Sequence, residues 1–169
     1  MALVVFAADP KRLGALDVAL GPCVPKPGRC KALVSPLNQD LGETVEQASA
    51  LFTALTGEPA GAVLEVDSEN GTGVLHRCTD VFLNAMADRS ELLLAMTDLD
   101  VLDRELDRLS DAWMRAATWP PQYVSVKNRL QRIHLARVAR SKGQTVYFWF
   151  GPSVEMRGVV AGSGPYPTR

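Results

Sequence analysis

A chain of 169 residues with 47% hydrophobic and 22% charged side chains has the make-up of an ordinary folded domain, and it excludes a low-complexity or disordered protein. The net charge of −1 hides an asymmetry: residues 1–118 hold 10 Lys/Arg against 18 Asp/Glu, a balance of −8, whereas residues 119–169 hold 8 against 1, a balance of +7. That split implies either two halves that attract each other or a face reserved for a charged partner.

In chain order, Leu3–Ala8 (LVVFAA) is a short apolar run with β-branched and aromatic members and predicts a strand. With no basic residue ahead of it, the run does not read as a signal peptide. Asp9-Pro10 ends it and opens a predicted helix over 11–20. Gly21–Cys30, with three prolines and two glycines, is a predicted loop, and Lys31–Pro36 a brief strand. A helix is expected over 42–57, with Val45, Ala48, Leu51, Phe52 and Leu55 at helical spacing and Gly57 as its stop. Residues 60–68 predict a strand in which Leu64 and Val66 alternate with Glu65 and Asp67; Asn70-Gly71 then reverses the chain toward 74–77.

Three helices are expected next, over 79–88, 90–96 and 98–117, with Thr79, Ser90 and Thr97 or Asp98 as N-caps. Pro120-Pro121 ends the last, because proline has no amide proton to give a helix interior. A further helix over 124–142 stops at Gly143. Thr145–Phe150 (TVYFWF) is the strongest strand signal, 155–160 is a candidate to pair back onto it, and 161–169 reads as a flexible tail. Strands at the start, middle and end with helices between predict an α+β fold: a single domain over 1–160, with one mixed or antiparallel sheet covered by several helices.

No apolar stretch approaches the roughly 18 residues that span a bilayer, so no membrane association is expected. Three cysteines, an odd number, suggest reduced thiols and a cytoplasmic location.

The segment 97–113 holds six carboxylates. On a helical wheel Asp100, Asp103, Asp107 and Asp111 fall within about 80° of one another, while Leu102, Leu106, Leu109 and Trp113 cluster on another side. Carboxylates strung along one exposed face do not converge on a cation, and they lack the pocket an acid–base pair needs. What remains is a solvated surface or a docking row for a basic partner. Glu65, Asp67 and Glu69 form a second acidic patch. Arg129, Arg132 and Arg140 share one face of the 124–142 helix, which leaves open whether they pair with the acidic row or stand free.

Other constellations are weaker. Cys23, Cys30, His76 and Cys78 are zinc-ligand types, but the six-residue gap between Cys23 and Cys30 is wider than a usual knuckle. Cys78 precedes a predicted helix and has His76 on the same strand face, the layout of an activated thiol in a small hydrolase. The basic residues between 127 and 142, followed by aromatics, raise nucleic-acid binding, against which stands a pI of about 6.1. His134, among apolar neighbours, reads as a packed interface histidine.

Leu51–Glu58 (LFTALTGE) and Ala139–Phe150 (ARSKGQTVYFWF) resemble segments of small bacterial α+β proteins. Relatives of those proteins act as cytoplasmic immunity proteins in polymorphic-toxin and contact-dependent-inhibition loci. Where that group carries a Trp-His pair before its Leu-Thr-Gly segment, this chain has Gln47–Ala50. The resemblance implies a non-enzymatic protein that neutralises a cognate toxin, a nuclease being one possibility, with no cofactor, no metal and no catalytic residues. The expected partner-binding residues are then Asp100, Asp103, Asp107, Asp111, Glu65, Asp67 and Glu69. The alternatives are a thiol hydrolase built on Cys78 and His76 and a nucleic-acid module built on the basic C-terminal third.

Overall fold

The computed structural model describes residues 2–15, 33–39, 43–71, 73–119 and 126–151. The predicted loop over 21–30, the possible strand over 155–160 and the tail over 161–169 lie outside them. The apolar runs at the two ends of the described chain form the centre of the sheet. β1 (Ala2–Ala8) pairs antiparallel with β5 (Thr145–Gly151) along its whole length. β2 (Leu33–Gln39) adds to the free side of β1, and β3 (Leu64–Asn70) and β4 (Gly73–Cys78) complete an antiparallel sheet of five strands in the order β2-β1-β5-β4-β3. The fold is α+β, and the sheet is antiparallel. Gly71, at φ 62°, makes the β3–β4 reversal that the Asn-Gly pair predicts.

Every residue of β5 is buried, because both faces of the sheet are apolar. Leu3, Val5, Ala7, Val146, Phe148 and Phe150 belong to the main core. Val4, Phe6, Tyr147 and Trp149 point the other way, into a smaller cluster that Leu13 covers in part. The expected helix after Pro10 is, in its described portion, a 3-10 turn over Pro10–Ala15, in which the Asp9 carboxylate accepts from the Lys11 amide at 3.0 Å.

α1 (Val45–Thr56) starts later than its sequence pattern suggests, at a capping box between Thr44 and Gln47. Gly57 ends it at φ 78°. The two helices expected over 79–96 are one, α2 (Asp80–Leu94), capped by Thr79. Ser90 does not cap a helix. It is fully buried in mid-helix and bonds across to His134, so the chain runs on unbroken. α3 (Leu99–Ala116) begins at Asp98, whose carboxylate accepts from the amides of Asp100 and Val101. The last expected helix is shorter: a 3-10 turn over Lys127–Leu130 leads into α4 (Gln131–Ser141), and Gly143 at φ 66° closes it. The main core joins the inward residues of β1 and β5 to apolar side chains from all four helices.

Candidate functional site

α3 buries one stripe and exposes another. Leu109 and Trp113 are buried, Leu102, Leu106 and Met114 pack partly against the core, and the Trp113 indole donates to the Gln47 carbonyl at 2.7 Å. That hydrogen bond fixes the rotation of the helix, and the amphipathic pattern does the rest. Asp100, Asp103, Asp107 and Asp111 are all exposed, on the side the wheel gives them. Two of them meet a cation of the same chain. Lys127 Nζ lies 2.5 Å from Asp103 Oδ1 and 2.9 Å from Asp107 Oδ1. Their hydrogen bonds and charge, Asp103 first, raise the Lys127 pKa. Asp100 and Asp111 have no ion-pair partner among the described residues. Arg108, placed to offset the row, turns instead to Glu105 at 2.6 Å.

The arginines expected to form a basic face do not form one. Arg132 is fully buried and grips buried Glu43 with two bonds, Nη1 to Oε2 at 2.6 Å and Nη2 to Oε1 at 2.9 Å. Arg129, also buried, adds a third at 2.7 Å to Oε1. Arg132 Nε donates to the Arg129 carbonyl at 3.1 Å. Aromatic rings wall the cluster: the Arg129 guanidinium lies 5.0 Å from the Trp119 ring centre, and that of Arg132 lies 5.0 Å from Trp113 and 5.5 Å from Phe148. Charge pairs and cation–π contacts together compensate for taking three ionic groups out of water. Arg140 turns to α2, with Asp88 at 2.7 Å and Glu91 at 3.0 Å. None of the three arginines reaches the acidic row. These three arginines are engaged within the protein and do not present a shared basic surface.

Glu43 is the one member of this cluster that the sequence does not announce. Ala136, fully buried between the arginines on the helical wheel, marks the arginine face as closely packed but does not point to Glu43.

Cys78 and His76 both point toward the helices, His76 edge-on to Phe150 with ring centres 5.3 Å apart. Burial pushes the Cys78 thiol far above its usual range, and the Asp80 charge adds to it. Its Sγ donates to the Thr79 carbonyl at 3.5 Å. A helix start lowers a thiol pKa only where the thiolate keeps some solvent, and here desolvation wins. Burial also lowers the His76 pKa, with the Glu46 charge opposing it. A buried protonated thiol beside a neutral histidine is not an activated nucleophile. Cys23 and Cys30 lie outside the described residues, among which no three His, Cys, Asp or Glu gather to hold a metal.

A hydroxyl–imidazole pair joins α2 to α4. Ser90 Oγ is 2.6 Å from His134 Nδ1 and 3.2 Å from Arg137 Nε. The guanidinium can only donate, so the serine proton goes to Nδ1 and the neutral His134 carries its own on Nε2. Ser90 is fully buried, which suits a helix–helix fastener and not a nucleophile open to substrate.

Glu65, Asp67 and Glu69 are exposed on β3, at one edge of the sheet. Val66, in register with His76 and so on the same face as Leu64, is nevertheless 60% exposed on this edge strand, and a register shift follows it between Val66 and Ser68. Between α2 and α3 runs an open groove of about 420 Å³ with Leu92, Leu93, Met96 and Leu109 in its walls. Its arginines are engaged, Arg89 with the Leu55 carbonyl and Arg108 with Glu105. Among the described residues no helix is long and apolar enough to cross a membrane. No family model, curated protein or solved structure matches the chain.

Proposed function

We propose that this protein is a non-enzymatic binding protein, an immunity factor of the bacterial cytoplasm that neutralises a toxin by covering its basic active site with the acidic face of α3. The observation that carries the reading is the exposure of Asp100, Asp103, Asp107 and Asp111 along one helix whose opposite stripe is pinned by Trp113. A nuclease toxin offers a phosphate-binding cleft lined with cations, and a rigid row of carboxylates matches it in charge and reach. Lys127 refines the docking scheme. A cationic side chain of the toxin meets Asp100 and Asp111 directly, and it displaces Lys127 to reach Asp103 and Asp107. The burial of the thiol and of Ser90 speaks against covalent chemistry at either.

The test is titration calorimetry with the toxin domain encoded beside this gene. Reversing Asp100 and Asp111 to Lys is expected to weaken binding by about tenfold or more and to flatten its salt dependence, because interfacial ion pairs are removed. Unchanged affinity and salt response in that double variant would overturn the reading.

A further inference from the structure

We infer that the outer edge of β3 accepts an extended, basic segment of the partner as a sixth strand of the sheet. Among the described residues β3 pairs with β4 alone. The Thr79 amide donates to the Val63 carbonyl at 3.0 Å, which sets the phase of the ladder. In an antiparallel pair, residues alternate between facing the partner and facing away. Glu65 therefore spends its backbone groups on Arg77, whereas the amides and carbonyls of Leu64 and Val66 face the open edge.

The two edges of the sheet are not equivalent. Both outer strands carry a register shift against their neighbour, but β2 also carries Pro36, which has no amide to offer. A proline or a lysine is the usual way to blunt an edge. β3 has neither; it has the exposed Val66 and the acidic Glu65, Asp67 and Glu69. That charge pattern selects the occupant. A second copy of β3 would set carboxylates against carboxylates across the new ladder, which is unfavourable, so this edge disfavours self-pairing. A strand carrying lysine or arginine at alternate positions brings opposite charges across the same ladder while its backbone fills the free donors and acceptors. The occupant is accordingly a basic β-strand from another protein.

This inference takes the partner's charge from the immunity reading but needs no toxin for its test. The probe is an acetylated, amidated octapeptide of alternating lysine and valine, titrated into the full-length protein and followed by amide chemical shifts. Shifts confined to β3 and centred on Leu64 and Val66 are expected. Val66→Pro removes an outward amide without touching the bonds to β4, and it should weaken the peptide by about tenfold, while Val66→Thr should bind as the wild type does. A peptide N-methylated along its pairing edge serves as the second probe and should not bind, whatever Val66→Pro does to folding. Equal binding of the N-methylated peptide would show attraction by charge alone and would overturn the inference. So would an absence of shifts at β3, or concentration-dependent shifts there in the protein alone, which would mean a second copy. Failure of the peptide with the Asp100/Asp111 dependence of the toxin intact would sink the strand-acceptor claim and leave the α3 reading standing.

Discussion

Glu43 shows most sharply how single residues set the character of this molecule. Its carboxylate is fully buried and binds two buried guanidiniums. Removing one partner of such a set leaves charge without compensation, which costs far more than the set contributes when intact. Glu43→Gln keeps the shape and deletes the charge, so it is expected to lose about 3–5 kcal/mol of stability in urea denaturation. An unchanged denaturation midpoint would contradict this account of the Glu43 carboxylate. Cys78 makes the complementary point. The same burial that makes it a plausible core residue removes it as a nucleophile, and a sequence pattern of Cys before a helix carries no information about burial.

The pairing of α2 with α4 depends on a histidine that must stay neutral. Desolvation, and then the Arg137 charge, lower the His134 pKa, and desolvation does the same for His76 between β4 and the helices. A folded-state pKa below the ordinary 6.5 means that the unfolded chain binds the proton more readily. The stability linked to both histidines is therefore complete above pH 6.5 and is lost as the pH falls through their folded-state values. Urea midpoints measured from pH 7.5 down to 5.5 should fall, and His134→Gln should reduce the slope. A midpoint that is flat over that window, or one that rises as the solution is acidified, contradicts this account.

At the same scale, what could be read beforehand is clear from individual elements. β5 was legible because consecutive β-branched and aromatic residues suit a strand buried on both faces. α3 was legible because its leucines and aspartates separate cleanly at helical period. Three features were not. Ser90 looks like a cap locally and becomes a fastener only through a histidine 44 residues away. The exposure of Val66 comes from its place on an edge strand, which period-two alternation cannot express. Glu43 and Arg132 are 89 residues apart, and no local pattern couples them.

For the whole molecule, the contrast between an acidic first two-thirds and a basic remainder resolves into a division of labour. Arg129, Arg132 and Arg140 are consumed by Glu43 and by α2, and Lys127 by α3, so these cations serve the fold. The carboxylates of α3 and β3 keep their exposure, and the surface available to a partner is acidic in both places. Those two acidic surfaces are complementary in charge to a basic protein, which is the partner proposed.

Carboxyl footprinting of the protein alone and with the proposed toxin partner tests this claim most directly, since it reads the aspartates themselves. Free protein should be labelled at Asp100 and Asp111 and more slowly at Asp103 and Asp107, where Lys127 sits. In the complex all four should be protected. Labelling of the four at the same rates in free and bound protein, with protection confined to other carboxylates, would contradict the account.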